Sequence, residues 1–465
     1  MGWYGRSTFE ELQRITPLIK TAFLKYKTLG YFIGHSILAA SFFLLIFLGA
    51  DLEKSISLIV LILVVYIALV KRFDYLDPFV GYLIPWIIIL FFSTTRLSRF
   101  AVSIHAQTFT LIIMAITGAM FVAGTRSTKI STINCWVKPP KSRLKSSTAF
   151  LLIDIFFFFF TALNIVVAGY VPLLRGLSGG DTGYLEFGIH GIFGFYLALA
   201  NALAIVNFII FLRTGKRIYI VRYVAIILIF VAFITRQNLI SVLVESVVAY
   251  SLVRGRIKLR TIIVVGALSG IVFSFIGSFR SGSVRDIAGI ETEYSWVPEP
   301  IIWLYAYSYF NIANLDKMLY QSNAPYYDAS SLSQLIPSFL RPTYETEDYL
   351  LVSNFNVSSY MYPVYKDLGR TGVLFLTVTA LWLTARKYRQ LNRAVSIGGV
   401  GIFSVLYFCA SFSFFVNFWF FLPIVAQIIF FKMLSGISEA ACTSVRGRVN
   451  GPRFKNSKQP QILVG

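Results

Sequence analysis

Charge is scarce in this sequence, and negative charge scarcest of all. Only 14% of its 465 residues are charged, against about 25% in an ordinary soluble domain, and 42 Lys and Arg face 21 Asp and Glu. With 57% hydrophobic and 17% aromatic residues, there is too little polar side chain to cover a water-soluble globule. Three cysteines, Cys135, Cys409 and Cys442, lie far apart without metal-ligand spacing, which excludes a disulfide framework. The three histidines do not cluster, so no metal site is expected, and no phosphate-binding glycine loop or Ser-His-Asp set is present. A net charge of +21 would suit nucleic acid, yet the basic residues come in short clusters between apolar runs and form no basic domain. Nucleic acid is therefore excluded as a partner.

What the sequence does have is apolar runs of membrane-crossing length. A bilayer core about 30 Å thick needs about 20 apolar residues per helix. Spans are expected at about 31–50, 54–70, 79–94, 106–124, 148–170, 189–212, 219–235, 238–253, 260–277, 368–385, 397–415 and 417–434. The third is short and interrupted by Pro85. The connections KRFD at 71–74, TRSTKISTINCWVKPPKSRLKSS at 125–147, RTGKR at 213–217, RGRIKLR at 254–260 and RKYRQLNR at 386–393 carry most of the positive charge. Because cytoplasmic connections are the ones enriched in Lys and Arg, twelve spans with both termini cytoplasmic put all these clusters on one side. The predicted fold class is an all-α polytopic membrane protein. Five Lys/Arg and two Glu occupy the first 30 residues ahead of a full-length span, so no cleavable leader is expected. Arg6 stands where a myristoylation signal needs Ser or Thr.

On this reading residues 1–277 form a membrane domain of nine spans with a small outer loop at 171–191. Residues 278–367 form a large outer loop, 368–434 the last three spans and 435–465 a basic cytoplasmic tail. The large loop is dense in aromatics, which low-complexity linkers lack. An amphipathic helix is expected over 301–320 and a second short one over 330–342, closed by proline. Tyr294, Trp296, Trp303, Tyr360, Tyr362 and Tyr365 either form an interfacial belt, as Tyr and Trp do in membrane proteins, or stack against sugar rings. Residues 278–358 hold nine acids against four bases, which suits a polyhydroxyl ligand better than a polyanion.

The stretch GSFRSGSVRD at 277–286 raises the sharpest question, because it places Arg280 and Arg285 just beyond the ninth span. Arg175, Arg236 and Arg341 join them on the side where arginine is otherwise rare. Snorkelling toward lipid phosphates is one reading. A clamp for a phosphate-bearing lipid is the other, since guanidinium pairs bidentately with phosphate and stays charged. In YKDLGRTG at 365–372, Asp367 either caps the tenth span or faces a site entrance with Tyr365 and Lys366. Glu245 is the one acid near mid-membrane, with no partner visible in the sequence, and His190 lies at the mouth of the 171–191 loop.

The order of these features resembles the Wzy-type oligosaccharide repeat unit polymerases, or O-antigen polymerases, of bacterial inner membranes. The resemblance is carried by LDPFVGYLIPW at 76–86, GYVPLLRG at 169–176, TRQNLISVL at 235–243, GSFRSGSVR at 277–285, SLSQLIPSFLRP at 331–342 and NVSSYMYPVYKDLGRTG at 356–372. It implies a fold like that of the C-class membrane glycosyltransferases, with no metal, nucleotide sugar or other cofactor. It also implies joining of undecaprenyl-diphosphate-linked oligosaccharides, donor and acceptor, on the periplasmic face, in contact with membrane lipid and with a polysaccharide chain-length regulator. Carried onto this chain, Arg236 and Arg280 would neutralise the departing diphosphate, with Arg285 and Arg341 next. Asp367, His190 and Glu291 are the candidate bases. Two alternatives stand beside this: an O-antigen ligase acting on the same donor, and a flippase or transporter of lipid-linked oligosaccharide.

Overall fold

In lipid a backbone must satisfy its own hydrogen bonds, which leaves helices or closed barrels for apolar runs of this length. The computed structural model describes residues 52–69, 75–124, 146–255, 257, 259–321, 325, 327, 329–341 and 350–446, apart from residues 185, 356 and 394. Among the described residues there is no strand, only an isolated antiparallel bridge between Ser98 and Ile290. The chain is an all-helical, membrane-embedded protein. The expected span at 31–50, the basic segments at 71–74 and 125–145 and the end of the tail at 447–465 lie outside the described residues.

The helices are α1 (Leu52–Leu69), α2 (Pro78–Ser93), α3 (Ala106–Gly124), α4 (Ser146–Ala168), α5 (Pro172–Leu177), α6 (Phe193–Thr214) and α7 (Arg217–Ala232). They continue with α8 (Arg236–Arg254), α9 (Leu259–Ser281), α10 (Val284–Ile287), α11 (Glu299–Gln321), α12 (Met361–Arg393), α13 (Ile397–Ser411) and α14 (Leu422–Arg446). Each expected span within the described residues holds one of them. Among the described residues, five stretches are long and apolar enough to cross a membrane: Ala106–Ala123, Ala149–Ala168, Phe193–Thr214, Arg260–Ser278 and Met361–Leu391. The last begins before the expected 368 and bends at Gly369, whose φ of 63° only glycine adopts cheaply.

Local chemistry sets several boundaries. Asp77 opens α2 by accepting from Phe79 N at 2.9 Å, with Pro78 at the first helical position, where its missing N–H costs nothing. Ser396 opens α13 in the same way, accepting from Gly399 N at 2.9 Å. The expected second loop helix over 330–342 is instead two 3-10 turns, Ser330–Leu335 and Ser338–Leu340. Pro337 explains the break: it has no N–H to donate, and it holds Ile336 extended.

Two apolar cores hold the bundle together. The first packs α1, α2 and α3 against α11 and the start of α12, around Trp86, Trp303, Tyr305, Tyr309 and Phe310. The second packs α4 with α6, α7, α8, α13 and α14, around Ala200, Ile205, Val242 and Phe403. The amphipathic helix expected over 301–320 is present as α11, and it enters the first core: Ile302, Trp303, Tyr305, Tyr309 and Phe310 are all at most 3% exposed. By contrast α4 and α9 bury only 22% and 19% of their apolar stretches and present side chains such as Phe159 and Phe275 outward. Lipid is the natural neighbour of those faces.

Candidate functional site

The α6–α7, α8–α9 and α12–α13 connections are rich in Lys and Arg. Between α7 and α8 the chain turns in three residues, Phe233 to Thr235. Ile234 takes φ 55° there, a conformation that costs a β-branched residue about 1–3 kcal/mol. That strained turn delivers Arg236 as the first residue of α8. Its side chain is only 6% exposed, and its guanidinium carbon lies 5.5 Å from the centroid of the Trp303 ring. Guanidinium over indole is a favourable cation–π contact, stronger where water is excluded.

Gly277 of α9 makes this contact possible. A Cβ at that position would sit 2.7 Å from a Trp303 ring carbon and 3.2 Å from an Arg236 Nη. Trp303 also stacks on Tyr307, with centroids 5.7 Å apart, and meets Phe355 edge-on at 6.1 Å. Asn314 fixes the Phe355 loop by donating to Phe355 O at 2.6 Å and Val357 O at 3.0 Å, and by accepting from Leu351 N at 3.0 Å. Three helices and one loop thus converge on a buried arginine. Arg280 belongs to the last turn of α9, and its side chain lies outside the described residues.

The other expected site residues have different duties. Arg285 donates to Tyr294 O at 3.3 Å and to Val297 O, stitching α10 to the turn that follows it. Arg341 donates to Ser333 O at 3.1 Å and Ile336 O at 3.2 Å, holding the first 3-10 turn. Arg175 lies 4.6 Å above the Tyr170 ring. Gly191, next to the exposed His190, abuts Phe339, where a Cβ would come within 2.7 Å of the ring, so the 171–191 loop and the large loop meet. Glu291 and Trp296 are exposed, and the Glu291 backbone pairs with Leu97 O at 3.1 Å. The Tyr294 phenol is held above its ordinary range by the hydrogen bond and negative charge of Glu293.

Asp367 is 3% exposed and accepts from Ser330 Oγ at 2.8 Å, Ser331 N at 2.9 Å and Ser331 Oγ. Three donors satisfy the buried carboxyl group. Its visible duty is to tie the 330–335 turn to α12. Tyr365 is buried and accepts from Gln107 Nε2 at 3.4 Å, while Tyr362 and Lys366 are half-buried beside it. Tyr360 is buried within hydrogen-bonding distance of Tyr82 Oη, at 3.3 Å, and of Thr377 Oγ1.

Two polar clusters escape sequence reasoning. Glu245 does have partners: Gln427 Nε2 donates to its two oxygens at 3.1 and 2.9 Å, and Ser241 Oγ donates at 2.6 Å. Ser241 lies one helical turn earlier on α8, whereas Gln427 arrives on α14 from 182 residues away in the sequence. The second cluster is His105 with Asp316, 2.8 Å apart, on segments 211 residues apart in sequence. The chain matches no protein-family model, no curated protein and no solved structure.

Proposed function

We propose that this chain is a polysaccharide polymerase of the bacterial inner membrane, with twelve spans and cytoplasmic termini, that joins undecaprenyl-diphosphate-linked oligosaccharides on its outer face. The observation that carries the reading is Arg236, buried against Trp303 in the notch left by Gly277. In the reaction an acceptor hydroxyl oxygen bonds to the donor's anomeric carbon as the bond from that carbon to the phosphate oxygen breaks. The diphosphate leaves with the electron pair, and the hydroxyl proton passes to a base. Arginines fixed beforehand at the leaving group lower the barrier without reorganising as charge develops. The indole holds the Arg236 guanidinium in one orientation, and the water-poor setting strengthens its pull on phosphate. Of the candidate bases, His190 and Glu291 are exposed, whereas Asp367 is engaged by serines.

One observation favours a second reading, transport of lipid-linked oligosaccharide. Glu245 is a fully buried carboxylate inside α8, and intramembrane acids mark transport pathways more often than structure. Arg236→Ala and Arg236→Lys in the native host, with the surface polysaccharide run on a gel and protein level checked by blot, decide between the two. Collapse of the ladder to single repeats with protein present supports polymerisation. Loss of every repeat from the surface supports transport or ligation, and an unchanged ladder removes Arg236 from the chemistry.

A further inference from the structure

Asp316 lies near the end of α11, with its side chain 4% exposed. One carboxylate oxygen accepts from His105 N at 2.8 Å and Thr108 Oγ1 at 2.6 Å, and the other faces His105 Nδ1 at 2.8 Å. It therefore caps α3 from another helix and fixes the imidazole at the same time. The His105 side chain is nevertheless 52% exposed, and its ring stacks on that of Tyr320, itself 70% exposed, with centroids 4.5 Å apart and planes within 10°. With Nδ1 donating to Asp316, Nε2 is left as an acceptor toward solvent.

Holding two exposed rings rigid costs conformational freedom and buries little, so packing alone gives a weak reason for it. The result is a flat amphipathic platform with a directed acceptor at its edge, prepared before any ligand arrives. We propose that His105 and Tyr320 form a glycan-holding subsite that grips the oligosaccharide while it is extended, a proposal that rests on the polymerase reading. A sugar ring lays its C–H face on the free face of Tyr320 and donates a hydroxyl to Nε2. The buried carboxylate beneath, and the excess of nine acids over four bases across 278–358, disfavour a phosphate or other polyanion there. With the reacting centre placed at Arg236 and Trp303, His105 is too far away to be its base. Thirteen residues of α11 separate Asp316 from Trp303, about 20 Å at 1.5 Å per residue, whereas a base must be within hydrogen-bond reach of its proton. The subsite lies several sugars away from the arginine, where it governs retention.

The test compares His105→Ala, Tyr320→Ala and Tyr320→Phe with Arg236→Ala in the native host, reading the modal length of the polysaccharide ladder at matched protein level. Losing the platform speeds release, so both alanine variants keep a ladder whose mode moves to about half the wild-type repeat number or less. Tyr320→Phe, which keeps the ring, restores most of that length. If Arg236→Ala abolishes the ladder while both alanine variants keep the wild-type mode, the subsite is refuted and the polymerase reading stands. If deleting this chain from the host leaves the ladder intact, the polymerase reading fails and the subsite falls with it. A drop in membrane protein level without any change of mode makes the rings interfacial anchors, which also overturns the proposal.

Discussion

Gly277→Ala isolates the contact on which the site depends. Alanine normally stabilises a helix by about 1 kcal/mol over glycine. At Gly277 the new methyl would meet a Trp303 ring carbon at 2.7 Å and an Arg236 Nη at 3.2 Å, and neither has room to retreat: Trp303 is 3% and Arg236 6% exposed. Overpacking of this kind costs about 1–3 kcal/mol. The same helix supplies the control. Gly266 has no atom within 4 Å of where its Cβ would be, so Gly266→Ala gains the propensity term without the clash. The propensity terms cancel in the comparison, and Gly277→Ala melts below Gly266→Ala by about 1–3 kcal/mol in detergent-solubilised protein. The polysaccharide ladder should also weaken in Gly277→Ala alone, because the guanidinium is displaced along with the ring. Equal melting of the two variants, or a Gly277→Ala protein with a full ladder, would show that α9 does not press on the Arg236–Trp303 pair.

Other expectations follow from the hydrogen bonds. Asp367→Ala, and equally Ser330→Ala combined with Ser331→Ala, should expose the 330–341 segment to limited proteolysis, because a charged acceptor contributes about 1.5–3 kcal/mol per hydrogen bond; resistance like that of the wild type would remove the tether. Gln427→Leu should destabilise by about 1–3 kcal/mol, since it strips a buried carboxyl group of its amide donor, and the loss should differ when Glu245→Gln is present in a double-mutant cycle. Additive effects would mean the two side chains are not coupled. Arg341→Ala should loosen the 3-10 turn Ser330–Leu335 and leave single-repeat transfer intact, as judged by lipid-linked product, because its guanidinium is spent on Ser333 O and Ile336 O.

The helices were legible because apolar length and basic clusters are local signals. α8 and α9 fall within a few residues of 238–253 and 260–277 for that reason. Their starts and stops were less so: Pro337 splits one expected helix into turns, and the tenth span begins early because Gly369 lets two helical pieces join at a bend. In the site, Arg236 and Trp303 were both visible as unusual residues, yet nothing in the sequence pairs an arginine of α8 with a tryptophan 67 positions later. Gly277 looked like any glycine of a membrane helix. His105 was invisible for a related reason, since its partner Asp316 arrives on α11 from the middle of the large loop. Arginine count and position are properties of the chain; which arginine is buried and which one staples a turn is decided by tertiary contacts. That is why Arg236 and Arg285, alike in the sequence, part company in the structure.

The central claim is that this protein makes a glycosidic bond with a lipid diphosphate as leaving group. Purified protein in liposomes, supplied with the host's undecaprenyl-diphosphate-linked repeat unit alone, tests it most directly. The account predicts free undecaprenyl diphosphate released in step with lipid-linked dimers and longer chains, both lost in Arg236→Ala. Repeat units that cross the bilayer unjoined, with no diphosphate released, would contradict it.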